Sequence, residues 1–198
     1  QIMLEKEKYY RINLFKKIIF FLIVFTITSQ KSFSSPKEMI INNFVKVNNI
    51  AFEFQQSIDD KIESGKCYIK YPKLIYCLYD NKDKKEIVSN GKGLAIKNNR
   101  YNKIYIYPLK TTPLEYILDK EFILGKIKNL KPKINNNTVE FLIFTKKKSI
   151  SVFFDNKTYD LAGWKTIDIY QKEVIFQINN LEKNINIDEN QFKLPPLN

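Results

Sequence analysis

The 198-residue chain contains no histidine, which removes the side chain most often used as a general base and as a metal ligand near neutral pH. Glycine is scarce, five residues in all, and none forms a phosphate loop. Gly91-Lys92-Gly93 lies between two extended segments, whereas phosphate loops lead from a strand into a helix. Asp59-Asp60 and Asp80-Asn81-Lys82-Asp83 group carboxylates, but in turn sequences, where aspartate serves the backbone. No catalytic residue, metal site or cofactor is expected, and the chain does not read as an enzyme. Its longest apolar run, residues 18–25, is too short for a spanning helix, which needs about 20 apolar residues.

Arginine is also nearly absent. The formal charge is +12, with 33 basic and 21 acidic residues, but residues 1–34 hold six of the basic and two of the acidic ones. The remainder carries +8, and Arg100 is its only arginine. Lysines scattered among isoleucine and asparagine keep a β-rich surface soluble and its edges unpaired, so nucleic acid is not an expected partner.

The short apolar run has a different use. Arg11, Lys16 and Lys17 precede it, and Ser32-Phe33-Ser34-Ser35-Pro36 follows it, placing serines at −3 and −1 of a cut after Ser34. A basic region, a short apolar core and small residues at the cut compose a secretory signal. Residues 1–34 are therefore expected to be a signal peptide and 35–198 a single domain; an uncleaved anchor is the alternative. The first methionine is Met3, so residues 1–10 carry no structural weight. An apolar content of 44% is enough to bury one core.

Cysteine is limited to two residues, both in residues 65–80, GKCYIKYPKLIYCLYD. Two apolar, aromatic-rich arms flank Tyr71-Pro72-Lys73, which reads as a β-hairpin. With that three-residue loop, Cys67 faces Cys77 and Ile69 faces Ile75, the placement a disulfide needs. In an exported protein the pair is expected to be bridged, stabilising by roughly 2 to 3 kcal/mol; otherwise it is two buried thiols packing as small hydrophobes.

Around this hairpin the spacing predicts a helix over 37–49, with Ile40, Phe44 and Val47 on one face, and a strand over 51–58 with Phe52, Phe54 and Ile58 inward. Short strands follow at 86–90, 94–97 and 103–107. Thr112-Pro113-Leu114-Glu115 then reads as a capping box opening a helix with Leu114, Ile117 and Leu118 as its stripe. A second helical piece runs around Gly125. Strands resume at 139–145, 149–155, 158–161, 166–171 and 173–178, with a turn at Ala162-Gly163. About eleven antiparallel strands do not stay flat. The expected fold is α+β, mainly antiparallel β: an incomplete, half-open barrel with helices as a lid, enclosing an apolar face suited to lipid.

At this level the chain resembles the periplasmic outer-membrane lipoprotein carriers, the LolA family. The resemblance runs through Phe52-Glu53-Phe54-Gln55-Gln56, residues 65–79 centred on Lys70-Tyr71-Pro72, and Ile87-Val88-Ser89-Asn90-Gly91-Lys92. It continues through Tyr107-Pro108-Leu109 and Thr111-Thr112-Pro113-Leu114 to Phe192 and Pro195-Pro196. It implies a periplasmic, monomeric chaperone whose cavity holds the acyl chains of lipoproteins. An inner-membrane ABC release complex would load the cargo, and an outer-membrane receptor would accept it.

Under the resemblance, Phe52, Phe54, Ile69, Tyr71, Ile75, Leu114, Ile117 and Leu118 are the expected cavity and lid residues. The family often has arginine immediately before Pro72, contacting the lid; here that residue is Tyr71, which is expected to hydrogen-bond lid carbonyls without charge. Two alternatives remain open at the level of sequence. One is the outer-membrane lipoprotein receptor of the same fold, which usually carries an acylated cysteine that has no counterpart near Ser34. The other is an envelope module that binds protein through its sheet without lipid.

Overall fold

The structure, a computed structural model, describes residues 10–11, 13–17, 34–145, 149–168 and 171–196. Contacts divide the chain into two units, Gln1–Ser34 and Ser35–Asn198. In the first, residues 10–11 and 13–17 are helical; the apolar run 18–25 lies outside the described residues. Among these, no helix is long and apolar enough to cross a membrane.

The second unit opens with α1 (Pro36–Phe44). Ser35 caps it: its hydroxyl accepts from the Glu38 amide, and the Glu38 carboxylate accepts from the Ser35 amide at 2.8 Å. Two otherwise orphaned donors are thereby satisfied, with Pro36 at the first turn where no donor is needed. The helix buries Ile40 and Phe44 and is shorter than the periodicity predicts. Asn48 and Asn49 end the helical option by bonding elsewhere: the Asn48 amide donates to the Asn184 side chain at 2.7 Å, and the Asn49 side chain exchanges bonds with the Ile185 backbone.

Among the described residues, eleven antiparallel strands form one sheet in the order β6-β5-β4-β3-β2-β1-β11-β10-β9-β8-β7. The strands are β1 (Asn49–Ile58), β2 (Lys61–Lys70), β3 (Leu74–Tyr79), β4 (Lys85–Asn90), β5 (Gly93–Asn98) and β6 (Lys103–Pro108), then β7 (Lys133–Ile134), β8 (Thr138–Phe144), β9 (Ser149–Asp155), β10 (Leu161–Ile167) and β11 (Glu173–Lys183). Pairing of β1 with β11 joins the two halves. The edges β6 and β7 do not pair, so the sheet is not closed, as the expected half-open barrel requires.

Alternation puts one residue of each pair inward. Ile50, Phe52 and Phe54 of β1, Cys67 and Ile69 of β2, Phe141 and Ile143 of β8, and Val152 and Phe154 of β9 join one core. Helices α2 (Leu114–Ile117) and α3 (Lys120–Ile127) follow β6 and contribute Ile117, Ile123, Leu124 and Ile127 to that core, as α1 contributes Ile40 and Phe44. Asp119 caps α3 by accepting from the Phe122 amide. Lys120 donates to the carbonyls of Val45 and Val47, tying α3 to the end of α1.

Three sequence expectations are corrected. The expected strands 158–161 and 166–171, with a turn at Ala162-Gly163, give way to the single strand β10 (Leu161–Ile167), with residues 158–160 and 168 outside it and residues 169–170 outside the described residues. A register shift between Leu161 and Gly163 breaks the alternation that marks a strand. At Gly163, φ is 145° and a Cβ would lie 2.1 Å from the Phe176 carbonyl oxygen, so only glycine passes there. Strand β11 runs past 178 to Lys183, because Asn180 adopts φ 50° within the strand opposite an irregularity at Ala51/Glu53. The capping box at Thr112 does not form: its hydroxyl donates to the Leu109 carbonyl, closing the short 3-10 turn Leu109–Thr111. The resulting α2 is one turn without a side-chain cap.

The other face of β3 to β5 is also covered. Val88, Ala95 and Phe192 are buried outside the main core. The 3-10 turn Glu189–Phe192 lies against β3 and β4, and Leu194 presses on Gly93, where a Cβ would lie 2.8 Å from its methyl carbon. Glu189 pairs with Lys70.

Candidate functional site

The hairpin pairs as its loop length predicts, Cys67 with Cys77 and Ile69 with Ile75, and the two cysteines form a disulfide with Cα atoms 4.1 Å apart. Its corner contains a cis Tyr71-Pro72 bond and Lys73 at φ 67°. The corner meets the lid through Lys73. Its amide donates to the Leu118 carbonyl at 2.8 Å, and its ammonium lies 2.6 Å from Glu115 and 3.6 Å from Asp119. The buried Ser89 hydroxyl donates to the Lys73 carbonyl and accepts from the Gly91 amide, which fixes the corner against β4.

Tyr71 does not take the role expected of it. Its ring packs edge-on to Phe44 at 5.6 Å, and its hydroxyl is buried without a hydrogen-bond partner among the described residues. Burial raises its pKa well above the ordinary 10.0. An unmade buried bond costs about 1 to 3 kcal/mol. Tyr71→Phe is therefore expected to stabilise the protein by about 1 kcal/mol, read as a rise in the urea midpoint without change in slope.

The ion pair from Lys73 to Glu115 and Asp119 is the contact that sequence reading missed, since a lysine beside a turn proline looks like solvated turn chemistry. The hydrogen bond to Glu115 raises its pKa above the ordinary 10.5, outweighing burial. Its contribution is therefore fully present below pH 10.5 and lost as pH rises through the elevated value. An exchange experiment should register this directly: Lys73→Met is expected to speed amide exchange at Ile117 and Leu118 about fivefold at neutral pH, because a one-turn helix has little stability of its own. Unchanged exchange would assign the lid's position to packing alone.

Between the lid and the concave face lies a cavity of about 410 Å³, within the range of ligand pockets. One wall is Ile75, Cys77, Ile87 and Leu94; Leu114 and Ile117 roof it; Trp164, Val174 and Phe176 form the opposite wall. Trp164 stacks on Phe176 at 4.2 Å, and Phe176 on Phe54 at 4.6 Å. Of the expected residues, Ile75, Leu114 and Ile117 face the cavity. Phe52, Phe54, Ile69 and Leu118 lie buried in the core behind it. Trp164, on β10 opposite Phe176 of β11, is hidden by the bulge at Leu161/Gly163; Phe176 follows the alternation of its strand, a signal that could have found it. Leu94 and Ile87 follow the alternation of β4 and β5, the signal that could have found them.

Polar groups gather at one side of the cavity, where Gln56 and Tyr79 reach its lining. The Tyr79 hydroxyl donates to Gln56 at 2.6 Å, and Lys85 sits 3.7 Å above its ring. Behind them, Glu63 accepts from Lys85, Asn81 and Lys61. Burial pushes the Glu63 carboxyl up, but these three donors outweigh it and hold it below 4.5. Burial pushes Lys85 below 10.5, more than its hydrogen bond to Glu63 and the nearby carboxylates offset. Among the described residues no group of three His, Cys, Asp or Glu side chains is placed to hold a metal ion.

No curated protein matches the chain. Among solved structures, it is similar to a LolA superfamily protein from Nitrosomonas europaea, at 5% identity and TM-score 0.42 over 81% of this chain and 99% of that one. A putative outer membrane lipoprotein-sorting protein domain from Vibrio parahaemolyticus aligns at 10% identity and TM-score 0.43 over 79% and 95%. The MucA/MucB complex of Pseudomonas aeruginosa aligns at 9% identity and TM-score 0.46 over 82% of this chain and 62% of that one, so the chain spans under two thirds of its length. The family model described as outer membrane lipoprotein carrier protein LolA matches residues 45–195. With three quarters of its length and the whole sheet inside that match, the chain belongs to the LolA family.

Proposed function

We propose that this protein is a periplasmic carrier that shields the acyl chains of lipoproteins on their way from the inner to the outer membrane, without catalysing a reaction. It would take cargo from an inner-membrane ABC release complex and give it to an outer-membrane receptor. The observation that carries the reading is the cavity of about 410 Å³ walled by aliphatic and aromatic side chains and roofed by a one-turn helix. Each methylene withdrawn from water contributes about 0.8 kcal/mol, so a sixteen-carbon chain represents roughly 12 kcal/mol that free lipoprotein must find elsewhere. A carrier must also release what it holds. Leu114 and Ile117 line the cavity from the lid, so an entering chain must displace them, and that displacement lowers net affinity.

Trp164 is the only tryptophan and lies on the cavity wall, which makes it a built-in reporter. Titration with a lipopeptide bearing a brominated acyl chain is expected to quench its fluorescence saturably, while the same peptide without the acyl group leaves it unchanged. Absence of quenching, together with no acyl material in protein gently extracted from cells, would sink the reading.

A further inference from the structure

On the opposite face of the sheet from the core, strands β7 to β11 form a second concavity of about 490 Å³. Its floor is Leu142, Ser151 and Lys165, which follow one another across β8, β9 and β10, with Ile167 beside them. Lys131 and Lys133 stand at its rim together with Glu140 and Glu173. The carboxylates offset only part of the lysines' charge: three lysines line the concavity against two carboxylates, and Glu140 lies opposite Lys133 in the strand register. Glu173 pairs with Lys165 at 3.2 Å, but Lys131 and Lys133 form no ion pair among the described residues. Ser151 is 96% buried, being 4% exposed, and its hydroxyl has no hydrogen-bond partner among the described residues, leaving a donor turned to the concavity. Next to it, Leu142 is 46% and Phe144 69% exposed on the same face of β8.

Free cations, an unengaged hydroxyl and exposed large apolar side chains on one surface are the ingredients of interfacial membrane binding, in which apolar groups enter the acyl boundary while lysines reach headgroup phosphates. An acidic protein would complement the lysines but leave Leu142 and Phe144 unexplained; a partner helix would cover the apolar pair but not the lysines. We propose that this outer face docks the protein on a bilayer rich in anionic phospholipid, with headgroup phosphate seated between Lys131, Lys133 and the Ser151 hydroxyl. The two concavities share Thr166 alone in their linings, and Lys131, Lys133, Leu142 and Ser151 lie outside the acyl cavity, so docking does not depend on what that cavity holds.

Flotation of the full chain with vesicles tests it. Vesicles of phosphatidylglycerol and phosphatidylethanolamine are expected to carry the protein, vesicles of phosphatidylcholine alone to carry about tenfold less, and added salt to release it. Lys131→Glu with Lys133→Glu should cut binding about tenfold, and Leu142→Ser with Phe144→Ser severalfold. All four positions are at the surface, and an unchanged thermal melt and unchanged quenching of Trp164 by the brominated lipopeptide would show that fold and cavity are intact. Equal flotation with neutral vesicles, no flotation at all, indifference to the charge reversals, or full displacement by millimolar inorganic phosphate would each overturn the proposal. Capture of an acidic protein without vesicle binding would overturn it in favour of a protein interface.

Discussion

Leu114→Asp is expected to weaken quenching of Trp164 by an acylated ligand, on the order of 30- to 100-fold in Kd, while leaving the barrel folded. Leu114 is half-buried at the start of α2 and lines the cavity. Ile117, the other lid residue on the wall, is 1% exposed and packed in the core, so a charge there would confuse folding with binding. A carboxylate at position 114 keeps its water only while the cavity is empty. An acyl chain would strip that water without offering a hydrogen bond, a penalty of at least about 2 to 3 kcal/mol, which is on the order of 30- to 100-fold in Kd. The folded protein loses one half-buried Leu, so its melt should fall only slightly. Leu114→Ala separates charge from shape: it removes lid apolar surface without adding a buried anion, and is expected to change affinity by less than about tenfold. Normal ligand response in Leu114→Asp would mean that acyl chains do not pass beneath the lid.

Much of the architecture was legible in the residues, for reasons that also explain the failures. Phe52 and Phe54 alternate without interruption, and the loop Tyr71-Pro72-Lys73 fixes a register in which Cys67 meets Cys77; period and turn length are local properties. The bulge before Gly163 and the left-handed Asn180 are tertiary accommodations. They shift the alternation by one residue, which is why one strand was read as two and another was cut short. The short edge strand β7 offers too few residues to show a period, so the strand number agrees although β10 was divided and β7 overlooked. In the cavity, Ile75, Leu114 and Ile117 were accessible to pattern reading because each sits in a regular segment. Trp164 was not, because its facing depends on the bulge beside it, whereas Phe176 lies in a regular stretch of β11 whose alternation points it inward. Lys73 was least legible: a lysine becomes a latch only when Glu115 and Asp119, some forty residues away, are brought to it by the lid.

The disulfide is where local geometry and this long-range arrangement meet, and its removal is expected to have the largest effect on stability. Cys67 and Cys77 are both almost fully buried, 10 residues apart in sequence. Closing so short a loop restricts the unfolded chain enough to stabilise by roughly 2 to 3 kcal/mol. Cys67→Ala with Cys77→Ala should lose about that much, plus a smaller packing term, in urea unfolding. Wild type should approach the variant on addition of reductant, and the variant should not respond. Intact mass after alkylation gives the independent check: two labels are expected only after reduction, and labelling of untreated protein would show free thiols. Binding should suffer as well. Cys77 lines the cavity, the bridge lies two residues from Ile69 and Ile75, and the corner beyond them carries Lys73. A hairpin that opens more readily positions both wall and latch less well. In the double variant, faster exchange should therefore spread from β2 and β3 to the lid amides of Ile117 and Leu118. Faster exchange in the strands with an unaltered lid would show that the corner is held by Ser89 and β4 alone.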